Sequence, residues 1–567
     1  MKFLRSLFIV QLLFVIWAHA DTYFVATIGN DTNHGRDDTA AGAWRTIGHA
    51  AALVEAGDVI RVQAGEYAEQ VSLTAVAGTR QAPISFVADG EVTLCGWVLR
   101  DCHHIRLVGF TIDSDLGSCV QAKGGVTFLG AENTSIELWH NTIRDALYNG
   151  VRTHANTTVR SSLFVGNKIE NMGVGNGSGT GIHVIGHHNL IGYNIFDNMH
   201  PDGIVVVGTH NRIINNYMFN ASEASGGHSD FFQTGSNAQG FAQNLIEANF
   251  LAGSGTEGDE HFIQISNSQT DRFGEGSMRE NLFRHNVIHN TGSGHGINQA
   301  FDGDITHSYF IHNTEVETSR TNPRTRYGFT FISTGVRDNQ MRNNIFYEAW
   351  GVDATTKLEV FYSQNDIGAD YNLAFDPDGP VTFAASWHEQ LHAQHNQDPH
   401  FQSVGDDDFT LSEGSHAIGN AGPLTEVNES FTTAGTQFNV NDALYFRGDD
   451  PTIHQYAGML VVGDKITIGA QSRRIVNIEG TTITVSEALS WDAGAPVYYG
   501  GSTSPDIGAY PAHHVRLESA TLAKADNRYQ VFPAGDTRWV VFFVDGLPHV
   551  VDVDPPYAAT VPVGIML

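Results

Sequence analysis

Cysteine is scarce in this sequence, which has only Cys95, Cys102 and Cys119. Three cysteines cannot form the multi-bridge framework of small disulfide-rich domains, so at most one bridge is expected, with Cys95–Cys102 as the candidate pair. Positive charge is also scarce, because 31 Lys and Arg stand against 62 Asp and Glu for a formal net charge of −31. This imbalance argues against nucleic acid or an anionic membrane as a partner. An anionic substrate would require local arginines or a bound cation.

Long apolar runs are confined to the N-terminus. There, Leu7–Trp17 follows two positive charges, and the small-x-small sequence AHA that ends at Ala20 is typical of a signal-peptidase site. Residues 1–20 are therefore predicted to be a secretion signal that is cleaved near Ala20. No later run reaches the roughly 18–20 apolar residues of a membrane span. We expect a secreted or periplasmic monomer that does not insert into a membrane.

Helical periodicity is missing from most of the chain, whereas Asn and Gly are abundant. A step of Asn followed by apolar residues recurs at intervals from 22 (Asn194 to Asn216) to 37 residues (Asn249 to Asn286). Each interval holds short β-prone runs between turns, which is typical of a parallel β-helix with coils stacked about 4.8 Å apart. We expect the amides to form an internal ladder between coils. Its members are Asn141, Asn167, Asn194, Asn216, Asn249, Asn286, Asn313, Asn344 and Asn372.

The N-terminal stretch contains one helical pattern, about Ala43–Val54, followed by the strand sequence DVIRVQAG. A helix at this point would cover the open edge of the first coil. This stretch, together with SPDIGAYP at Ser504–Pro511, resembles the right-handed β-helix carbohydrate-active proteins of the pectate-lyase-like superfamily, which include several polysaccharide lyase families. The resemblance spans about Asp21–Pro511. It implies an all-β, right-handed parallel β-helix, or solenoid, with an N-terminal helical cap.

The predicted domain organisation follows from where the coil pattern stops. The cap and the β-helix are assigned to residues 21–430. Residues 431–501 alternate like a small antiparallel β module inserted before a closing β-helix segment at 502–511. Residues 512–567 resemble part of an immunoglobulin-like domain, since they are too few for a whole one.

The strands that follow the long loops can be aligned with one another, starting at YNGVRT and ending at RYGFTF. In this alignment one column contains Asn149, Thr180, Asp202, Asp230, His261, His295 and Tyr327. A second column, three residues on, contains Arg152, His183, Val205, Gln233, Gln264, Asn298 and Thr330. His200, His228, Asp259 and Glu260 stand just before the first column. An offset of three places the two columns on opposite sides of a strand unless the strand bends.

Acids and imidazoles in one column predict a site, because like charges on adjacent rungs repel and would not be kept for structure alone. The catalytic candidates are Asp202, Asp230, His261, His295 and Tyr327. The substrate-binding candidates are Arg152, His183, His228, Gln233, Gln264, Asn298 and Arg326. Clustered carboxylates suit Ca²⁺, which prefers oxygen ligands. The candidate calcium ligands are Asp202, Asp230, Asp259 and Glu260.

The expected function is cleavage of an acidic, uronate-containing polysaccharide by β-elimination. A lyase must neutralise the carboxylate, remove the proton at C5 and protonate the departing oxygen. His261 or His295 would act as the base and Tyr327 as the acid. Lys is scarce near the predicted groove, which departs from the Lys-based pattern of pectate lyases and puts the identity of the base in doubt.

Three other functions stay open. An inverting glycoside hydrolase needs two carboxylates, and the sequences HPDGI, HSDFF and GHG resemble stations of the polygalacturonases. That resemblance is incomplete, because Ser229 stands where the family has a second acid beside Asp230. An epimerase is a further alternative. A non-catalytic polysaccharide-binding β-helix would have a column of Asn and Thr alone, which the first column is not.

Overall fold

The computed structural model describes residues 20–116, 119, 124–173, 179–220, 229–234, 240–253, 260–265, 278–290, 297–299, 305–317, 329–331, 336–349, 351–352, 358–359, 361–363, 367–382, 391–450, 462–509, 520–525, 528–533, 540–544, 547–552 and 557–560. The predicted signal sequence, apart from Ala20, lies outside these residues. Within these ranges, no helix has the length and apolar character that crossing a membrane requires.

Most of the chain winds into stacked coils whose equivalent strands pair in parallel. The predicted all-β class and parallel solenoid are therefore confirmed, while the right-handed winding stays a prediction. Strands of successive coils line up on three main faces, which we call the site face, the module face and the third face. The first coils are built from longer strands, at Thr22–Val25, Val59–Thr74 and Ile84–Arg100.

Each face is a ladder of short strands. The site face contains Gly124–Leu129, Asn149–Thr153, Gly179–His187, Pro201–Thr209, Ser229–Thr234, Glu260–Ile265, Ile297–Gln299, Phe329–Phe331 and Phe361–Ser363. The module face contains His103–Val108, Glu132–Trp139, Leu163–Val165, Leu190–Gly192, Arg212–Ile214, Leu245–Glu247, Leu282–Arg284, Tyr309–Ile311, Gln340–Arg342 and Gly368–Asp370. The third face contains Thr111–Asp113, Thr142–Arg144, Lys168–Met172, Ile195–Met199, Tyr217–Phe219, Phe250–Ala252, Val287–His289, Thr314–Val316, Ile345–Tyr347, Leu373–Phe375 and Gln394–His395. Between the site and module faces lie Thr158–Arg160, Phe241–Ala242, Met278–Arg279, Ile305–Thr306 and Val336–Arg337.

The interior of the coils is a single apolar core. On the site face the inward column runs through Val151, Ile182, Ile204, Phe232 and Ile263, all of which are buried. Such columns form because alternate residues of a strand face the same way and the coils stack in register. Their removal from water is the main force that holds the coils together.

The predicted Asn ladder is confirmed at the turn between the module face and the third face. Asn194 shows the repeating unit: its Nδ2 donates to Asn216 Oδ1 at 3.0 Å and to the Phe164 carbonyl at 2.8 Å, while its own Oδ1 accepts the Asn167 N–H at 2.9 Å. The residue before each ladder Asn has positive φ, as at Tyr193. The amide thus satisfies backbone groups that this tight turn would leave unpaired in the core.

A second ladder, five residues ahead of the first, was missed by the sequence analysis. Asn189 Nδ2 donates to Asn211 Oδ1 at 3.0 Å, and Asn211 N–H donates to Asn244 Oδ1 at 2.8 Å. The sequence signal was an Asn spaced five residues before a ladder Asn, as in Asn189 and Asn194. Its described members are Ser162, Asn189, Asn211, Asn244, Asn281, Ser308 and Asn339.

The N-terminal helix is shorter than predicted, at Ile47–Ala51 rather than 43–54. Residues before it are extended, because Trp44 pairs with the first strand through its N–H and carbonyl. Thr46 caps the helix by accepting the His49 N–H, which is the usual role of Thr at this position. Ile47 and Ala50 belong to the same core cluster as the first coils. The capping role of this helix stays a prediction.

An antiparallel sheet of six strands occupies the region of the predicted inserted module. Its buried residues form one apolar cluster with outward residues of the module face, including Leu245, Leu282 and Tyr309. We call residues 425–499 the docked module. Its strands are Thr425–Glu426, Phe431–Asn439, Lys465–Ile468, Gln471–Glu479, Thr482–Trp491 and Pro496–Tyr499.

Two further segments lie on the third face. A hairpin of Phe401–Ser403 and Asp408–Leu411, joined by a 3-10 turn at Val404–Asp406, places Phe409 against Phe250 and Val287. Within the predicted closing segment, Ile507 packs with Ile345 and Leu373, and Ala509 N–H donates to Thr314 Oγ1 at 2.9 Å. The remaining strands are Gly351–Val352, Leu358–Glu359 and Val381–Thr382, and, towards the C-terminus, Ala520–Ala525, Arg528–Pro533, Val540–Val544, Leu547–Asp552 and Tyr557–Thr560. The immunoglobulin-like assignment of the last five stays a prediction.

The candidate disulfide Cys95–Cys102 was wrong, because the structure joins Cys95 to Cys119. The reason lies in the direction of the side chains. Cys102 belongs to the interior core, where its thiol lies 3.4 Å from the Leu73 carbonyl. Cys95 and Cys119 form a separate small cluster with Leu116.

Candidate functional site

The strands of the site face pair in the register that the sequence alignment predicted. Thr180 pairs with Asn149 and with Asp202, and Asp230 pairs with His261. The pairing of Ile204 with Phe232 aligns Asp202 with Asp230. The second column is continuous as well, with the pairs Arg152–His183, His183–Val205, Val205–Gln233, Gln233–Gln264, Gln264–Asn298 and Asn298–Thr330.

A bend in each strand explains how two columns with an offset of three share one surface. The residue directly after the first column is left out of the strand pairing. This residue is Gly150, Gly181 or Gly203, where a Cβ would meet the interior side chain of Met172, Phe196 or Met218, respectively. In the next two coils this position is held by Phe231 and Phe262, whose rings stack in the core at 5.2 Å.

The residue that follows each of these positions, such as Ile182 or Phe232, also faces the core. Two consecutive inward residues require the strand to turn a corner, because an unbent strand alternates its side chains. Asp230 before the corner and Gln233 after it therefore both lie on the outer side. We call this outer surface of the site face the groove.

The described centre of the groove is an acid–imidazole pair. His261 Nδ1 lies 3.0 Å from Asp230 Oδ1, and the two side chains are 2% and 0% exposed. A carboxylate that accepts the Nδ1–H holds the neutral ring in the tautomer whose Nε2 carries no proton. Burial strengthens this hydrogen bond relative to water. The arrangement can position an imidazole as a base and stabilise it once it is protonated.

The groove becomes more open towards the earlier coils. Asp202 and Thr180 are nearly buried, Asn149 and His183 are half-buried, and Arg152 is exposed. Burial, together with the positive charge of Arg152, lowers the pKa of His183 to about 4. His183 is therefore a neutral hydrogen-bonding group at neutral pH. Arg152 is the fixed positive charge at this end of the groove.

His228, Asp259, His295, Arg326 and Tyr327 lie outside the described residues. Glu260, Gln264 and Asn298 lie on described strands of the site face, so their backbones are at the predicted rungs.

The predicted calcium ligands do not make a complete set in the described part of the chain. Asp202 and Asp230 supply two carboxylates, and that of Asp230 already accepts a hydrogen bond from His261. Within the described ranges, no three Asp, Glu, His or Cys side chains converge on a point that could hold an ion. Calcium takes six to eight oxygens, so these two residues alone do not fit it.

Sequence reasoning missed Glu315, which is fully buried. It stands in the inward column of the third face, paired with Ile288 on one side and Phe346 on the other. The available signal was an acid at a position where neighbouring coils have Ile, Leu or Phe. It lies inside the coils, whereas the groove is on their outer surface.

Comparison with known proteins gives structural likeness at low identity. The chain matches no family model and no curated protein sequence. Similar solved structures include pectate lyase Pel9A, at 13% identity over 73% of this chain and 94% of that chain, with a TM-score of 0.36. A PL6 family polysaccharide lyase from Pseudopedobacter saltans matches at 14% identity over 57% and 90%, with a TM-score of 0.38. A complex of XylC with xylose matches at 11% identity over 84% and 100%, with a TM-score of 0.42. The assignment of the fold rests on the strand pairing.

Proposed function

We propose that the chain is a secreted polysaccharide-degrading enzyme that cleaves an acidic, uronate-containing polysaccharide by β-elimination. The observation that carries this proposal is the Asp230–His261 hydrogen bond at the corner of the groove.

In this reaction His261 Nε2 would accept the proton from C5 of a uronate residue. The electron pair of that C–H bond forms a double bond between C4 and C5 while the bond from C4 to the glycosidic oxygen breaks. Asp230 would stabilise the imidazolium that forms, as a buried carboxylate does for a catalytic histidine. Tyr327, which the sequence alignment assigns to the same column, would protonate the departing oxygen. Arg326 and the second column would hold the glycan.

The engagement of Asp230 favours elimination over inverting hydrolysis. An inverting glycoside hydrolase needs one carboxylic acid to protonate the leaving group and a second carboxylate to activate water. Asp230 is instead hydrogen-bonded to His261.

The decisive experiment is a screen of the full chain against acidic and neutral polysaccharides, with reducing ends and ultraviolet absorbance of unsaturated products followed together. We expect both signals from a uronate polymer. Reducing ends without absorbance would replace elimination by hydrolysis. Binding without any cleavage would leave the groove as a polysaccharide-binding surface.

Calcium belongs to the proposal through Asp202, Asp230, Asp259 and Glu260 as ligands. Calorimetric titration of chelator-treated protein with Ca²⁺ should then give heat. Ca²⁺ should also raise the melting temperature, because an ion that binds only the folded state stabilises it. The matched control is titration with Mg²⁺, which demands a smaller octahedral site. No heat, together with activity that a chelator does not change, would remove calcium from the proposal.

A further inference from the structure

Arg152 differs from the other arginines of the coils in its partners. Between His103 and Ile311, each other arginine that the structure describes lies within 4.0 Å of a carboxylate: Arg106, Arg144, Arg160, Arg212, Arg279 and Arg284. Arg152 is exposed and makes no ion pair within the described residues. In a chain with 62 acidic residues, an arginine without a carboxylate partner is available to an anion from outside.

The position of Arg152 connects it with the groove but separates it from the acid–imidazole pair. It follows Asn149 on the same strand, and Asn149 is linked to Asp230 through the rungs of Thr180 and Asp202. Three rung steps of about 4.8 Å place the Arg152 rung about 14 Å from the Asp230 rung along the coil axis. That distance exceeds the length of one sugar residue, so Arg152 cannot neutralise the sugar that reacts at Asp230 and His261.

The neighbour of Arg152 completes a binding surface for an anion. His183 pairs with Arg152 on the next rung and is half-buried. A neutral imidazole can donate one hydrogen bond to an anion oxygen, while the guanidinium supplies charge and a planar pair of donors. Val205 follows on the third rung and adds an apolar surface for a sugar ring.

We propose that Arg152 and His183 form a remote subsite that binds the carboxylate of a uronate residue some sugars away from the bond that is cleaved. This inference rests on the proposed function and adds to it a specificity-determining residue and a direction. The glycan runs along the coil axis from the Asp230 rung towards the earlier coils. Selectivity for acidic chains is then set at a distance from the reacting atoms.

The test is equilibrium binding of uronate oligomers of increasing length to the full chain in a His261→Gln background, so that oligomers are not consumed. Arg152→Ala should weaken binding about ten-fold or more, the value of a charge-assisted hydrogen bond, but only for oligomers long enough to reach the Arg152 rung. Arg152→Lys should retain part of the affinity. Arg144→Ala, in the same coil but on the third face and paired with Asp113, is the matched control and should have no effect.

An equal loss for the shortest and longest oligomers, or no loss for any length, would overturn the inference. Binding of neutral oligomers and of sulfated chains without uronate is measured in the same way. If the sulfated chains bind as tightly as the uronate oligomers, the ligand is a sulfate rather than a carboxylate. Arg152→Ala should also raise the pKa of His183, measured by NMR, because the guanidinium charge lowers it. If Arg152→Ala leaves the pKa of His183 unchanged, the two side chains do not interact and the shared subsite is rejected. Length-dependent binding without any cleavage would reject β-elimination and keep the subsite.

Discussion

Asn286 shows how one side chain connects neighbouring coils. Its Nδ2 donates to Asn313 Oδ1 at 2.9 Å and to the Ile246 carbonyl at 3.0 Å. Its Oδ1 accepts from the N–H of Asn249 and from its Nδ2, both at 3.0 Å. The amide is fully buried, and every bond reaches a residue 27 to 40 positions away in sequence. Such a residue fixes the register of the coils as much as it adds stability.

Asn286→Ala should lower the free energy of unfolding by about 1–3 kcal/mol, because it leaves a buried backbone N–H of Asn249 and a carbonyl of Ile246 without partners. Denaturant unfolding of the full chain measures this change. Asn220→Ala is the matched control, since its amide donates to Asp197 at the surface, and should have little effect. An unchanged midpoint for Asn286→Ala would contradict a buried role.

The Asp230–His261 pair gives the second prediction for single residues. Asp230→Asn and His261→Gln keep side-chain volume and should each reduce turnover by about 10²–10⁴-fold if the pair transfers the proton. The double variant should lose far less than the product of the two, since the groups act in one step. His295→Gln is predicted to behave in the same way if that residue belongs to the site.

The matched control for these variants is His154→Gln, an exposed histidine just beyond a strand of the site face. Both activity and melting temperature must be measured, because a buried, hydrogen-bonded pair can also serve only to stabilise the fold. Lower melting temperatures with near wild-type turnover of the folded fraction would make the pair structural. Full activity of all single variants would place the catalytic residues elsewhere along the groove.

At the scale of elements, the register of the coils could be read from the sequence, because each coil carries the same Asn turn and one inward apolar residue. The bend of the site face could not, since the residue at the bend is Gly in three coils, as at Gly150 and Gly181, but Phe in the next two, as at Phe231. What they share is the interior space, which Met172 and Phe196 fill where the strand has Gly. The disulfide failed for a similar reason, because it depends on which side of a strand faces the core. The helix is shorter than predicted because Trp44 pairs with the first strand.

The docking of the module was not predicted, although the strands of the module face carry a signal. Leu163–Val165 and Leu282–Arg284 have apolar residues on both sides, which indicates a strand covered on both sides. The partner of that surface lies more than a hundred residues away. Arg284 makes this contact specific: it donates to both oxygens of Asp464 at 2.6 Å, lies near Glu247 and stacks on the Tyr499 ring.

Arg284→Met should destabilise the docked module by about 3–5 kcal/mol, because it removes the cation that pairs with the buried carboxylate of Asp464. Limited proteolysis within residues 425–499 and denaturant unfolding report this loss. Arg474→Met is the matched control, since the Arg474–Asp449 pair is 42% and 30% exposed and such pairs contribute about 0–1 kcal/mol. Adding Asp464→Leu to Arg284→Met should restore part of the stability. Equal effects of the Arg284 and Arg474 variants would show that the module is held by its apolar contacts alone.

At the scale of the whole molecule, histidines occupy the boundary between the coils and the segments that dock on them. His312 is fully buried: its Nδ1 donates to the Asp506 carbonyl, its Nε2 accepts from Asn343, and its ring stacks on His285. Burial lowers the pKa of His312 to about 4, although the Asp506 carbonyl opposes this shift. Burial likewise lowers the pKa of His188, which stacks on His210, to about 4. Docking thus depends on imidazoles that stay neutral.

This arrangement predicts a loss of stability in acid. A histidine whose pKa is about 4 in the folded chain and near 6.5 in the unfolded chain binds its proton more readily when unfolded. The stability is therefore complete above about pH 6.5 and falls as the pH drops towards 4. Melting temperatures measured across this window should decrease, and His312→Gln should flatten the decrease while lowering stability at neutral pH. His392→Gln, which changes a half-exposed histidine beside Asp370, should leave the slope unchanged. A melting temperature that stays constant from pH 6.5 to 4 would contradict the lowered pKa of these histidines in the folded chain.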